Sequence, residues 1–509
     1  MPKPSLSFLS VVLLLLSVST SLSAPASSLY TTFLRCLTQH TNSSTQLSNI
    51  LLAPTNPSFP SVLRNYIRNA RFNTSSTQKP LLIVTPLTES HVQGAVICAK
   101  SVNVQLKIRS GGHDFEGISY ISEEPFIILD MFNLRAITVD IVNEFALVQA
   151  WGLDFHHLTR DVHQYVSATC PTIGVGGHIS GGGYGNMLRK YGLSVDNVID
   201  AEMVDVKGNL LNRKSMGEGL FWAIRGGGGA SFGVIVSFTI KLVPVPETVT
   251  IFRVEKTLET NVTATDLVLQ WQQVAPTTDE RLFMRLLLQP VSSKVVKGTK
   301  TIRSSVVALF LGGANEVVSI LEEFPLLGLK KENCAEVSWI DSVLWFEDDK
   351  SLENVAEPEI LLNRNPNSAR FLKRKSDYVK KAISRGGLEG LWKTMIEGNL
   401  FKMQYSVTWD DPSPAAAQNF INQTRSLYSY MTPFVSQNPR SAFLNYRDLD
   451  IGVNSFDKNS FQEGEVYGKK YFSYNNNFND NFERLVRVNT AFDPENFFRN
   501  EQSIPVRLN

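Results

Sequence analysis

The sequence predicts an α+β protein, and three stretches carry the prediction. Leu81-Leu82-Ile83-Val84 reads as a short buried strand, and a helix follows from Ser90 with Val92, Ala95, Val96 and Ala99 on its apolar face. Gln105-Leu106-Lys107-Ile108 is a second strand, running straight into the glycine loop Arg109-Ser110-Gly111-Gly112-His113-Asp114, so the unit is strand–helix–strand. Phe232, Val234, Val236, Phe238, Ile240 and Leu242 alternate with smaller or polar residues, the pattern of a half-buried strand. Pro244 and Pro246 then break the pattern and mark a domain boundary. Beyond it amphipathic strands and helices mix, and the chain closes with a helix around Phe482, Leu485 and Val486 before an Asp493-Pro494 turn.

Composition narrows the function. With 43% hydrophobic and 19% charged residues, the 509-residue chain can bury a sizeable core. Lys plus Arg number 49 against 48 acids, a net charge of +1, and there is no basic run or zinc-like Cys/His spacing. Nucleic acid and acidic membranes are therefore excluded as partners.

Residues 1–24 have the layout of a secretory signal peptide: Lys3, an apolar centre from Val11 to Leu16, and Leu22-Ser23-Ala24 at the cleavage point. The apolar stretch is shorter than the ~20 residues a membrane span needs. Secretion fits Asn-x-Ser/Thr sequons at Asn42, Asn73, Asn261 and Asn422. In an oxidising compartment Cys36, near the mature N-terminus, is expected to pair with Cys98 on the first helix, and Cys334 to remain a packed thiol.

Glycines cluster at Ser110 to His113, Gly174 to Gly185 and Gly226 to Gly229. Consecutive glycines let backbone N–H groups converge into an anion-binding concavity suited to phosphate. One such loop is ordinarily a tight turn; three in one α/β region point to a nucleotide. Neither G-x-x-x-x-G-K-[ST] nor a helix-opening G-x-G-x-x-G with its acidic ribose ligand is present, so the nucleotide is held another way.

Six segments closely resemble the berberine bridge enzyme-like flavoproteins of plants. They are Arg109 to Asp114, Cys170-Pro171-Thr172-Ile173-Gly174-Val175-Gly176-Gly177-His178, Gly181-Gly182-Gly183-Tyr184-Gly185, Arg189 to Leu193, Phe221 to Gly229, and Asp493 to Pro505. The resemblance implies a vanillyl-alcohol-oxidase-type (PCMH-type) FAD-binding domain over 25–245, with its core at about 76–245. A substrate domain with an antiparallel sheet follows over 246–440, and a segment over 441–509 completes the FAD domain.

The resemblance further implies FAD attached twice, by His113 to the 8α-methyl carbon and by Cys170 to C6. Imidazole and thiolate are the nucleophiles a protein can offer an electron-poor ring. Pyrophosphate and ribose would then lie against Arg109, Ser110, Gly111, Gly112, Gly174, Gly176, Gly177, His178, Gly181, Gly182, Gly183, Tyr184, Gly185, Gly228 and Gly229, with Asn500 near the flavin. Asn445-Tyr446-Arg447-Asp448 resembles the segment whose tyrosine is the base on a substrate hydroxyl, and Tyr446, with a free pKa of about 10, needs a nearby cation to act. Arg285, in the apolar stretch Leu282 to Leu287, matches a position of an active-site arginine. A metal role is not expected for His156, His157 and His163, which lack a carboxylate second partner.

The sequence also departs from the family. A loop with a Tyr-Gly-Gly-type motif is missing before Trp409, where Met395 to Phe401 runs straight across; the stretch Trp151 to Thr169 is short; Phe115 replaces a frequent Tyr and Gly219 a frequent Asp. The expected protein is a secreted, monomeric FAD-dependent oxidoreductase of the cell exterior, wall, vacuole or an ER-derived compartment. It passes hydride from a small alcohol (an oligosaccharide, monolignol-like alcohol or alkaloid) to flavin N5, then electrons to oxygen or another acceptor. The missing loop supports a competing class, a catalytically impaired secreted glycoprotein that acts by binding.

Overall fold

The computed structural model describes residues 26–41, 46–65, 67–152, 163–164, 173–348, 369–397, 404–455, 460–472 and 478–507. Residues 1–24, expected to be a signal peptide, and Asn42, His156, His157, Cys170 and the Gly398–Asn399 junction lie outside them. Among the described residues no helix is long and apolar enough to cross a membrane, and no cluster of His, Cys, Asp or Glu could hold a metal ion.

Strand Leu82–Val84, helix Glu89–Ser101 and strand Gln105–Arg109 form where apolar spacing predicts them. Thr88 starts the helix, its hydroxyl accepting from the His91 backbone N–H. The two strands are not neighbours, however. Phe126–Asp130, buried at every position, lies between them and pairs in parallel with both. A strand covered on both faces has no alternation, so it gave no period-two signal. Helix Ala26–His40 packs Phe33 and Leu37 against Val92 and Val96, and the Cys36–Cys98 disulfide joins the two helices with a Cα separation of 5.8 Å.

The second sheet is antiparallel, in the order Ile137–Asp140, Phe145–Gln149, Val234–Lys241, Val198–Val204, Leu210–Leu211. Its central strand corrects the half-buried expectation, because both of its faces are covered. A register shift between Ile235 and Ser237 moves the phase by one residue. Before the shift Val234 and Val236 join the core of the first sheet; after it Phe238 and Ile240 join the opposite core with Phe221 and Leu220. The alternation was real, but it crossed from one core to the other.

Val243–Pro244 pairs antiparallel with His163–Gln164, and Thr248–Thr257 then begins a separate four-stranded antiparallel sheet with Leu282–Ser292, Lys300–Phe310 and Cys334–Ser338. Helices Ala264–Val274, Arg385–Glu397 and Pro414–Tyr430 cover one face and Trp339–Asp348 the other. A short ribbon, Phe371–Lys375 against Tyr405–Trp409, leads back toward the first domain. The chain then returns there outright. Phe482, Leu485 and Val486 of helix Phe478–Phe492 bury against Phe221, and Phe497 and Phe498 enter the first core. The Asp493 carboxylate fixes that last turn by accepting from the Phe497 and Phe498 amides at 2.9 and 2.8 Å.

Candidate functional site

The glycine loops meet because their contacts leave no room for a side chain. A Cβ on Gly174 would lie 2.1 Å from Ser110 Oγ, and one on Gly181 only 1.5 Å from Asn445 Oδ1. Ser110 is itself pinned, its hydroxyl donating to the Ala150 carbonyl at 2.8 Å and its carbonyl accepting from Trp151 Nε1 at 2.9 Å. One turn beyond Gly174, Gly177 is exposed, and a Cβ built there would meet no atom of the described residues within 4 Å. Half-buried His113 stands at the end of the Ser110 loop.

Several expected residues turn out to support the cradle from behind. Arg109 is fully buried; its guanidinium pairs with Asp130 at 2.7 Å and donates to the Val62 and Leu63 carbonyls, so its charge does not face the loops. The His178 ring is turned inward onto Ser194 Oγ at 3.2 Å, and burial lowers its pKa to about 4, leaving it neutral. The Gly226 to Gly229 loop is likewise not an open nest. The amides of Gly226 and Gly228 both donate to the Ser180 carbonyl, and that of Gly227 to Ala223. Gly229 is buried against Ser180 and Ile235. Gly182 and Gly183 take positive φ, turning the chain so that half-buried Tyr184 points across the site.

The C-terminal return supplies the opposite wall. Asn445 Nδ2 donates to the His178 carbonyl at 2.9 Å, and Arg447 donates to the Gln502 carbonyl at 2.8 Å beside Asn500, whose own side-chain oxygen accepts from the Gln502 amide. Between them the Tyr446 hydroxyl is hydrogen-bonded to that of Tyr184. Tyr446 is ringed by Phe443 and Phe115, with centroids at 5.2 and 5.5 Å. Arg374 sits over the Phe115 ring at 4.4 Å, and Arg285 over Phe346 at 5.5 Å. Burial and the Tyr184 hydroxyl push the Tyr446 phenol well above its ordinary pKa, while the charges of Arg374 and Arg285 pull against them.

The expectation of a nearby cation thus has two answers, and only Arg285 was anticipated. Arg374 lies in the run Lys373-Arg374-Lys375, which reads as a solvated edge; nothing local distinguishes it. Tyr184, Asn445 and Tyr446 are brought together, whereas Cys170 lies outside the described residues. Three of the four sequon asparagines, Asn73, Asn261 and Asn422, are exposed. Cys334 is a free thiol facing the Lys330 carbonyl, with burial raising its pKa to about 11.

Residues 80–213 match the family model described as FAD binding domain, and 442–505 the one described as Berberine and berberine like. Berberine bridge enzyme-like 21 of Arabidopsis thaliana is 54% identical over 96% of this chain and 95% of its own. The aligned span of 525 positions exceeds the 509 residues here, so the alignment opens gaps in this chain. Among solved structures, the berberine bridge enzyme of Eschscholzia californica superposes with a TM-score of 0.83 at 32% identity, covering 94% of this chain and 99% of that one. Phl p 4, a grass pollen allergen with glucose dehydrogenase activity, does so with a TM-score of 0.83 at 36% identity, covering 94% and 100%.

Two glycines separate cradle from scaffold. Gly181→Ala is expected to drive Asn445 off the His178 carbonyl and to lower unfolding stability by about 1–3 kcal/mol. Gly177→Ala should leave stability within about 0.5 kcal/mol, since the new methyl meets nothing among the described residues, yet reduce the flavin retained. Thermal unfolding and the visible absorbance of the purified protein check both.

Proposed function

The chain belongs to the berberine bridge enzyme-like family of FAD-linked oxidoreductases, and on that premise we propose that it oxidises a small alcohol with Tyr446 as the base. The apposition of Tyr446 with Tyr184 and the two guanidinium groups, opposite the glycine cradle, is the observation that carries this reading. FAD fits that cradle: Gly177 offers bare, exposed backbone, and the loops on either side are too close for side chains. Bound FAD supplies a two-electron acceptor. The Tyr446 phenol gives its own proton to solvent, with Arg374 and Arg285 stabilising the negative charge and Tyr184 donating to the phenolate oxygen, and the phenolate then receives the substrate hydroxyl proton. Sugars are one candidate class, since Phl p 4 acts on glucose.

A second reading, that the chain turns over poorly, rests on the gaps opened by the alignment and on the direct run from Met395 to Phe401. With fewer residues around the substrate, water reaches the Tyr446 hydroxyl more easily and weakens the pull of the two cations on it. Secretion through the signal segment, with glycans on the sequons, completes the proposal and is supported by the Cys36–Cys98 disulfide.

Tyr446 should be protonated at neutral pH, because burial and Tyr184 raise its pKa. Flavin reduction by a panel of sugars and phenolic alcohols, followed anaerobically, should therefore accelerate with pH by about tenfold per unit. Tyr446→Phe should flatten that profile; an unchanged profile would remove the base from Tyr446.

Double attachment of the flavin through His113 and Cys170 is expected to keep acid-precipitated protein yellow. Cys170→Ala should leave a single bond through His113, seen as one flavin-bearing peptide in a tryptic digest. Free flavin in the supernatant of the unaltered protein would exclude both links.

Ile173 follows Cys170-Pro171-Thr172 and is half-buried beside Gly174. Phl p 4 is described as a glucose dehydrogenase and its isoleucine-to-valine variant as a glucose oxidase. The reading carried to this chain is that Ile173 obstructs oxygen. Photoreduced flavin should reoxidise slowly in air, and Ile173→Val should speed it; equal rates would dismiss the gate.

A further inference from the structure

Behind the Tyr446 site lies a cluster of buried charges that the proposed chemistry does not use. Lys373 Nζ contacts Glu116 Oε1 at 2.5 Å and Asp448 Oδ1 at 2.7 Å, and Lys375 Nζ contacts Asp448 Oδ2 at 2.6 Å and Asp450 Oδ2 at 2.7 Å. The Lys373, Lys375, Glu116 and Asp448 side chains are at most 5% exposed. Arg425 reaches Asp450 at 2.7 Å and Arg71 approaches Glu116 at 3.8 Å from the rim. Asp448 is also held by its backbone. Its N–H donates to Tyr471 Oη at 3.0 Å and its carbonyl accepts from Gln502 Nε2 at 2.9 Å.

The placement of this cluster follows from chain geometry. Successive side chains of a strand alternate between faces. In Phe371–Lys375, Lys373 and Lys375 therefore face the acids, while Arg374 between them faces Phe115. Glu116 is the residue after Phe115, and Asp448 lies two after Tyr446. The three segments that bring Phe115, Arg374 and Tyr446 to the site are thus the same three that bring Glu116, the two lysines and Asp448 to the cluster. Fully buried Asn69 repeats the link, its amide donating to the Phe115 carbonyl at 2.7 Å and the Leu372 carbonyl at 3.1 Å.

We infer that the Glu116–Lys373–Asp448–Lys375 network is a positioning device for the site, fixing Arg374 and Phe115 against the Tyr446 ring across segments remote in sequence. Buried ion pairs add little net stability compared with apolar packing of the same volume. Their short, directional contacts instead define a single arrangement, which is what an aromatic base and its cation require. Lys373, Lys375, Glu116 and Asp448 touch no reacting group; they act through Arg374 and Tyr446. The inference rests on the reading of Tyr446 as base for its consequence in catalysis, but its geometry can be tested without turnover.

The test places 3-fluorotyrosine at position 446 in the flavin-loaded protein and records its ¹⁹F resonance. Glu116→Gln with Lys373→Met removes one charge of each sign, so no buried ion is left alone, and cuts the tie between the first two segments. The resonance should shift or split, and Glu116→Gln reverted with Lys373→Arg should restore a single line near the starting position. Glu116→Asp keeps every charge while shortening the reach by one methylene. It stands in should the double variant not fold, and should broaden or shift the line in the same direction. Lys100→Ala, removing the surface pair with Glu495, should leave the line unmoved. A folded Glu116→Gln/Lys373→Met or Glu116→Asp protein with an unmoved line would overturn the inference and reduce the network to scaffold. Tyr446→Phe that reduces flavin as fast as the unaltered protein would instead end the base reading, and the resonance result would stand on its own.

Discussion

Two contacts too close for a methyl group organise this molecule. Gly174 rests on Ser110 and Gly181 on Asn445, so the loop after the first parallel sheet, the glycine-rich turn of the second sheet and the C-terminal return are locked face to face. Everything around them serves that proximity. Trp151 and Ala150 hold Ser110, Ser180 gathers the Gly226 to Gly229 loop, and Asp493 turns the last residues inward toward Asn500. On the proposed reading, the nucleotide cradle is less a set of ligands than a gap that the backbone is forced to leave.

That division of labour decides what could be read from sequence. Local patterns were legible: the strand–helix–strand unit, the helix of Phe482 and Leu485, and the Cys36–Cys98 pair all follow from spacing within a dozen residues or from compartment chemistry. The glycine clusters were legible as positions but not as roles, since counting glycines cannot tell an amide facing a ligand from one donating to Ser180. Arg109, which the family resemblance placed among the cofactor-binding residues, is paired with Asp130, on a strand with no periodic signal, and only the fold shows that pairing. Arg374 was hidden in the opposite way, as the middle of three cations whose neighbours are buried by partners more than 70 and 250 residues distant.

The two halves of the chain are also built differently. The glycine loops depend on contacts with no slack, at Gly174 and at Gly181. The substrate domain is carried by an antiparallel sheet and its covering helices, with one core on each face and Phe346, beneath Arg285, in the second of them. Trp392, Tyr405 and Trp409, on the two sides of residues 398–403, lie in one buried core.

Tyr446 stands where these constraints meet, and its acidity expresses the balance. Desolvation and the Tyr184 hydroxyl hold its proton on, whereas Arg374 and Arg285 favour its release. If Tyr446 is the base, as proposed, it is a strong base present in small amount, and its usefulness depends on how far the two cations offset the burial. Those cations are held by different structures: Arg285 by a long strand of the substrate sheet, Arg374 by a ribbon strand whose other face is clamped to Asp448 and Glu116. Excluding water strengthens the cations' pull but also raises the cost of the phenolate, so closure of the site gains nothing unless Arg374 and Arg285 stay close. A rigid ionic backing and a tightly covered substrate face are consequently complementary requirements. Shortening the cover while keeping the backing lowers the burial cost and the cationic assistance together, so a base that changes little in strength can still lose rate, through looser placement of the substrate hydroxyl.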